Sequence, residues 1–169
     1  YWRGWSGAKH ITSIHFGGGT PSLLPAKHVE KITSHVASLW SLESGVEIAL
    51  EANPNDAASS NWQDLRAAGV NRLSLGVQTF HDAGLTLLGR DHDGDTARKA
   101  LDAAMGIFPS VSLDLIFGWQ GQTLDMWKAD MSEAIKRDVP HISAYQLTIE
   151  EGTAFAKAEA RGQKKAVGE

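Results

Sequence analysis

The chain alternates between short apolar segments and longer amphipathic ones. Five apolar segments have the length and the period-two pattern of β-strands, and they cover residues 11–16, 46–51, 72–78, 111–117 and 142–148. Between them, apolar residues recur every three or four positions, which predicts helices. Because parallel neighbours need long crossovers, this alternation predicts one α/β domain with a parallel sheet, either doubly wound or barrel-like.

Four helices are predicted from apolar spacing and from capping residues. The first covers residues 26–40, and the second follows Ser60, which has capping-box spacing to Gln63. Asp95 or Thr96 is expected to cap the third helix, and Thr123 the fourth. The predicted inward positions are Val29, Ile32, Val36 and Leu39 in the first helix, Ala97, Leu101, Ala104, Met105 and Phe108 in the third, and Trp127, Met131 and Ile135 in the fourth.

Charge and composition exclude several classes of protein. The 16 Lys and Arg residues are outnumbered by 20 Asp and Glu, so the basic excess typical of a nucleic-acid partner is missing. No apolar run approaches the ~18 residues of a transmembrane segment, and we predict a cytoplasmic protein. The chain has no cysteine, so its residues provide no thiolate ligand for zinc or for an iron–sulfur cluster.

Polar residues stand where the predicted strands end, which is where parallel α/β folds bind their ligands. The first strand runs into the sequence GGGTPS at 17–22, which is either a simple turn or a backbone cradle for a small polar group. Glu51 ends the second strand and is either an exposed terminus or a ligand contact. Gln78 ends the third strand, on the same face as the small residues Ser74 and Gly76.

Asp114 lies in the middle of the fourth strand, where an unpaired buried carboxylate is costly. It is expected to meet an internal cation, of which Arg90 is one candidate, or a buried water, or a ligand hydroxyl. The acidic run at 91–95 does not match a calcium loop, because its Gly comes early and Asp102 replaces the final Glu. The seven histidines are scattered, and no metal site is predicted.

Six motifs lie at or near the predicted strand ends. They are FGGGTPS at 16–22, EANP at 51–54, RLSLGVQ at 72–78 followed by Phe80, LGRDH at 88–92, DLIFG at 114–118 and YQLTIE at 145–150. In order and spacing, over about residues 11–155, they resemble the radical S-adenosylmethionine (SAM) family of oxygen-independent coproporphyrinogen III oxidase. The segments 89–92 and 146–150 are more similar to the heme chaperone branch than to the true oxidase.

This resemblance implies a partial (β/α)6 radical SAM barrel with a [4Fe-4S] cluster on a Cys-x3-Cys-x2-Cys loop after its first strand. The five predicted strands would be the second to sixth, so residues 1–169 would form an incomplete radical SAM core that lacks the first strand, the cluster loop and the C-terminal domain. The start at Tyr1 rather than Met agrees with a fragment. Alone, the chain is expected to perform no radical chemistry, and its open sheet edge predicts poor solubility.

The resemblance also implies which residues contact SAM. Gly18, Gly19 and Thr20 match positions at the methionine end, where backbone groups suit its ammonium and carboxylate. Glu51 is expected to serve the ammonium or the ribose hydroxyls. Arg90 matches a cofactor contact, and its guanidinium suits a carboxylate.

Three further positions are carried over from the family. Gln78 and Asp114 match cofactor contacts, and Asp114 is expected to accept hydrogen bonds from the ribose diol. Tyr145 matches a position where the backbone contacts adenine. The sequence departs from the family at Gln120, where a Pro is usual, so the path of that loop is not fixed by the resemblance.

The function implied first is that of a heme chaperone, which binds heme and SAM and delivers heme to target proteins. The alternative is an oxidase that makes protoporphyrinogen IX from coproporphyrinogen III through a 5'-deoxyadenosyl radical. The partners implied are therefore heme or a porphyrinogen, with heme-accepting proteins as targets. A third alternative is an unrelated α/β binding domain whose polar strand ends are structural.

Overall fold

The computed structural model describes Gly4, residues 10–58, residues 61–163 and Ala166. Five parallel strands form one sheet in which spatial order equals chain order. This order, with the sheet curled into a half-barrel, confirms the α/β prediction and selects the barrel-like alternative, because doubly wound sheets reverse their order at a switch point. The strands are β1 His10–Phe16, β2 Ser41–Ala52, β3 Arg72–Gln78, β4 Ser110–Phe117 and β5 His141–Gln146.

Helices connect the strands and follow the last one. They are α1 Ala26–Leu39, α2 Asn61–Ala67, α3 Asp82–Leu87, α4 Gly94–Ile107, α5 Leu124–Lys136 and α6 Ala154–Glu159, with short 3-10 turns at Pro21–Leu23 and Pro54–Ala58. Strand β2 begins at Ser41, earlier than predicted, because its first residues pair with His10 and Ile11 of β1 before the register shifts. No helix in the described part of the chain is long and apolar enough to cross a membrane.

The core lies between the outer face of the sheet and the helices. Leu50, Leu73 and Leu113 alternate with inner-face residues along their strands, and all three are fully buried. Helix α4 packs on β3 and β4 with its predicted apolar face, of which Leu101 is fully buried. Each buried Leu side chain contributes about 2 kcal/mol of hydrophobic free energy, so this layer fixes the direction in which the opposite, polar face of the sheet points.

Capping explains where two helices begin. The Thr123 hydroxyl accepts a 3.2 Å hydrogen bond from the Met126 amide, which confirms the predicted cap of α5. Helix α4 is capped by Asp93, whose carboxylate accepts from the Thr96 amide at 2.8 Å, so the prediction of Asp95 or Thr96 was wrong. Asp93 takes this role because it has extended backbone and lies three residues before a free amide. Ser60 lies outside the described residues.

Two predicted inward positions were wrong. The exposed fraction is 44% for Ile32 on α1 and 65% for Ile135 on α5. Helix α5 turns a different face toward the sheet because Asp130 and Ala134 are fully buried, and this orientation leaves Ile135 at the solvent side. The buried Asp130 has hydrogen-bond partners in the segment after β3, which a reading of apolar spacing alone does not detect.

Candidate functional site

A polar cleft of about 160 Å³ lies at the carboxyl ends of β1 to β4. Parallel strands bring their carboxyl ends to one edge of the sheet, so residues far apart in sequence meet there. Of the eight residues predicted for the site, six line this cleft: Gly19, Thr20, Glu51, Gln78, Arg90 and Asp114. The remaining lining residues are Pro21, Ala52, Asn53, Ser74 and Gly76.

Glu51 is held by two donors. Its Oε2 accepts a 3.2 Å hydrogen bond from the Gly18 amide, and its Oε1 lies 3.0 Å from Nε2 of His15. The hydrogen bond from His15 is the largest cause that keeps the pKa of Glu51 below its ordinary value, with the Gly18 amide acting in the same direction against the effect of burial. Glu51 is therefore an ionised acceptor at neutral pH.

One carboxylate oxygen of Asp114 accepts a hydrogen bond from the described residues, and the other accepts none. Ser74, on the neighbouring strand, donates from its hydroxyl to Oδ2 at 2.9 Å. The other oxygen, Oδ1, is buried and has no hydrogen-bond partner among the described residues. Burial raises the pKa of Asp114, and the nearby hydroxyls of Ser74 and Ser143 oppose this rise. A buried carboxylate oxygen that faces a cleft is suited to accept from a ligand donor.

Arg90 does not form the salt bridge to Asp114 that the sequence left open. Both side chains line the cleft, but the Arg90 guanidinium has no hydrogen-bond or ion-pair partner within the described segments. Burial lowers the pKa of Arg90, and the charge of the adjacent Asp91 partly offsets this. A half-buried guanidinium without a bonded partner is an available donor for an anionic group such as a carboxylate.

Gln78 reaches the cleft through an irregular end of β3. Its φ of 71° is in the left-handed region, and the pairing register with β4 shifts between Leu75 and Gln78. A Cβ added to Gly76 would stand 2.7 Å from Nε2 of Gln78. The small residue noted in the sequence therefore leaves room for the Gln78 amide at the inner face.

The glycine loop after β1 is tied to the segment after β2. Gly18 and Gly19 adopt positive φ, which turns the loop over the cleft. Beyond the loop, the buried Ser22 donates to the carboxylate of Asp56, and the Asn61 side-chain amide donates to the Ser22 carbonyl at 2.6 Å. These bonds hold the rims contributed by β1 and β2 together.

Two predicted residues do not line this cleft. Gly18 lines a separate, adjoining cavity, although its amide contacts Glu51. The Tyr145 side chain is 55% exposed, and the residue pairs with Ile116 on β4. Its predicted backbone contact to adenine stays a prediction.

Sequence reasoning missed two partners at this site. His15 was grouped with the scattered histidines, and Ser74 was noted only as a small residue. The period-two pattern places Ser74 on the inner face, but its partner depends on the register that aligns β3 with β4. His15 likewise meets Glu51 only because β1 pairs with β2.

Comparisons with known proteins show the family to which the chain belongs. Over 156 residues the chain is 40% identical to mouse radical S-adenosyl methionine domain-containing protein 1, mitochondrial, covering 91% of the chain and 35% of the relative. It is 39% identical over 148 residues to the heme chaperone HemW of Escherichia coli K12, covering 87% of the chain and 39% of that protein. The chain thus spans little more than a third of either relative.

A solved structure has the same fold. The coproporphyrinogen III oxidase HemN from Escherichia coli, described as a radical SAM enzyme, superposes with a TM-score of 0.71 at 28% identity, over 82% of this chain and 32% of that one. The sequence model of the radical SAM superfamily matches residues 6–134. The chain therefore belongs to the radical SAM superfamily.

Proposed function

We propose that the polar cleft binds SAM and that a protein containing this chain acts as a heme chaperone. Membership of the superfamily implies SAM and a [4Fe-4S] cluster as cofactors. The observation that carries the proposal is the convergence of Glu51, Arg90 and the unpartnered Oδ1 of Asp114 on one cleft. The ammonium and the ribose diol of SAM donate hydrogen bonds, for which Glu51 and Asp114 are acceptors, and its carboxylate accepts them, for which Arg90 is the donor.

The residues in and beside the cleft fit SAM in distinct roles. Asp114 Oδ1 accepts from a ribose hydroxyl and Glu51 from the ammonium or a hydroxyl, while Arg90 donates to the carboxylate. Gly18, Gly19 and Thr20 present backbone groups to the methionine end, Gln78 contributes its amide, and Tyr145 offers its backbone to adenine. Bound SAM supplies an alkyl sulfonium whose polarised C–S bonds are the reactive part of the molecule. The protein's own contribution is to bind and orient it.

The chain does not provide a cluster site by itself. It contains no cysteine, and no group of three or more His, Asp and Glu side chains in the described segments is arranged to hold a metal ion. No thiolate ligand for a cluster therefore comes from these residues.

The choice of a chaperone over an oxidase is supported by the relatives. The bacterial proteins named heme chaperone are 35–39% identical over most of the chain, whereas the oxidase HemN is 28% identical. The fold similarity to HemN keeps the oxidase as the second candidate. The unrelated binding domain is no longer a candidate, because the chain belongs to the superfamily.

SAM binding can be measured by equilibrium dialysis on a natural protein that contains this chain, with its cluster reconstituted. We expect D114N and E51Q to weaken binding about tenfold, since each removes a charged acceptor. D125N is the matched control, because Asp125 is exposed and does not line the cleft. Wild-type protein that binds no SAM, or D114N and E51Q variants that bind like D125N, would refute the assignment of the cleft.

The chaperone and the oxidase are separated by two assays on a natural protein that contains this chain, with its cluster reconstituted. A chaperone binds heme stoichiometrically and transfers it to an apo-acceptor protein, without converting coproporphyrinogen III. Anaerobic formation of protoporphyrinogen IX would instead assign the oxidase. We propose the cytoplasm as its compartment, which cell fractionation can test.

A further inference from the structure

Among the described residues, His15 is the one whose side chain forms a hydrogen bond with Glu51. Ser13 and His15 pair with Glu47 and Ala49 of β2, so His15 lies on the same inner face as Glu51. Its Nε2 lies 3.0 Å from Oε1 of Glu51. Neither the sequence motifs nor the comparisons assign a role to this histidine.

The contact with Glu51 determines which ring nitrogen of His15 carries a hydrogen. An ionised carboxylate only accepts hydrogen bonds, so Nε2 of His15 must carry a hydrogen and donate it to Glu51. The Gly18 amide holds the other carboxylate oxygen at 3.2 Å. With one donor on each oxygen, the carboxylate is fixed, and each oxygen keeps a lone pair for a ligand.

Gly17 makes room for this pair. A Cβ at position 17 would stand 2.9 Å from Oε1 of Glu51 and 3.1 Å from Nε2 of His15. The two side chains are 54% and 45% exposed, so the pair lies at the mouth of the cleft, where solvent protons reach the imidazole. The second ring nitrogen, Nδ1, can take up a proton without breaking the contact to Glu51.

We propose that His15 is a positioning residue of the cleft: it fixes the Glu51 carboxylate and, when it gains a second proton, offsets the charge of that carboxylate. Binding of a cationic ligand group at Glu51 then weakens as the pH falls. The inference deepens the proposed function and rests on it for the identity of the ligand, the ammonium group of SAM. Neutral hydroxyl donors would be affected much less, because they carry no charge.

The other ionisable groups around this pair have separate roles. Arg90 lines the cleft and stays cationic over the whole range. Glu47, lower on the same face, is paired with Arg72 at 3.1 Å. Burial and, to a smaller extent, the charge of Glu51 raise the pKa of Asp114, so this carboxyl gains its proton at a higher pH than an ordinary Asp. The pKa of Glu51 itself lies below its ordinary value, so its carboxylate stays ionised while a histidine titrates.

The test is SAM dialysis between about pH 8 and pH 5.5, the range in which an ordinary histidine titrates. We expect wild-type affinity to fall about three- to fivefold across this range, the size of a solvent-exposed charge interaction. H15Q keeps a donor without titrating, so its affinity should match the wild type at high pH and lose most of this dependence. H15F should bind about threefold more weakly at high pH, since the donor is lost.

Two variants identify the source of any remaining pH dependence. D114N removes the contribution of Asp114, and H28Q is the matched control because His28 is exposed on α1 and does not line the cleft. H28Q should keep the full wild-type profile. An H15Q profile as steep as that of the wild type would overturn the proposal.

A ligand-free measurement separates this inference from the proposed function. Carbon-13 NMR of Glu51 should show that H15F raises the pKa of its carboxyl, because the hydrogen bond from His15 is the largest cause of the lowered value. An unchanged pKa of Glu51 in H15F would overturn the role of His15 whether or not SAM binds. If the wild-type protein with its cluster reconstituted binds no SAM while H15F raises the pKa of Glu51, the SAM assignment is refuted and the His15–Glu51 pair stays supported.

Discussion

The Thr79 hydroxyl donates a 2.7 Å hydrogen bond to Oδ2 of Asp130, which joins the segment after β3 to the middle of α5. The other oxygen of Asp130 accepts from the Phe80 amide at 2.8 Å. Asp130 is fully buried, and His81 lies 3.7 Å from it. Because Thr79 directly follows Gln78, this buried carboxylate fixes the exit of β3 at the point where Gln78 enters the cleft.

Replacing Asp130 by Ala should destabilise the protein. The substitution leaves a buried hydroxyl and a buried amide without an acceptor, and we expect a loss of about 3 kcal/mol in the free energy of unfolding. Urea denaturation measures it. D125A on the same helix is the control, because Asp125 is exposed and should shift stability by less than about 0.5 kcal/mol. Equal midpoints for D130A and D125A would show that Asp130 does not lock this loop.

Two glycines of α4 should respond oppositely to substitution by Ala. A Cβ at Gly94 would collide with the Phe80 carbonyl oxygen, so G94A should cost about 2 kcal/mol or more. A Cβ at Gly106 meets nothing within 4 Å, so G106A should gain about 0.5 to 1 kcal/mol from helix propensity. Thermal unfolding of both variants provides the measurement, and a stabilised G94A would contradict the close packing of α4 against the loop after β3.

D114N should stabilise the ligand-free protein at neutral pH. Since burial raises the pKa of Asp114 in the folded state, its stabilising contribution is present below the unfolded-state pKa and is lost as the pH rises through the folded-state pKa. Asn does not titrate and avoids that loss, so we expect D114N to be about 1 kcal/mol more stable at pH 7. The difference should disappear near about pH 4.

Urea titrations of both proteins at the two pH values test this prediction. D125N provides the control, since its exposed position should leave the comparison with wild type nearly independent of pH. A D114N variant that is less stable than the wild type at pH 7 would mean that the interactions with the Ser74 and Ser143 hydroxyls outweigh the cost of burying the charge.

Replacing Arg90 by Gln should weaken the binding of SAM without lowering the stability of the protein. The Arg90 guanidinium has no bonded partner in the described part of the chain, so removing its charge should leave the urea midpoint unchanged or higher. Binding of SAM should weaken about tenfold, because a charge-assisted contact to the ligand carboxylate is lost. Dialysis of R90Q beside R66Q, an exposed arginine on α2, gives the comparison. Equal affinities would remove Arg90 from the proposed binding site.

The strands are predicted well because successive side chains of a strand point to opposite faces of the sheet, so odd- and even-numbered positions differ in polarity. That parity correctly sets Glu51 and Asp114 on the face opposite the buried leucines. The strand ends then meet because all five strands are parallel, and six of the eight predicted residues line one cleft. Their roles as SAM contacts stay predictions that the variants above test.

Other features depend on contacts that local patterns do not contain. Ser74 meets Asp114 because of the register between β3 and β4, and the register shift before Gln78 has no marker in the apolar pattern. Ile135 was expected inside because it is apolar, but the buried bonds of Asp130 rotate α5 away from that position. In the sequence alone, a buried polar residue whose hydrogen-bond partners lie in a distant loop is indistinguishable from a solvent-exposed one.

The sequential strand order bears on how the protein is synthesised. Each strand pairs with the one made just before it, so loop closures are local and the sheet can grow one strand and one helix at a time as the chain leaves the ribosome. The residues that line the cleft all precede the end of β4. The part of the cleft that these residues line can therefore assemble while the ribosome is still adding β5, which carries Tyr145.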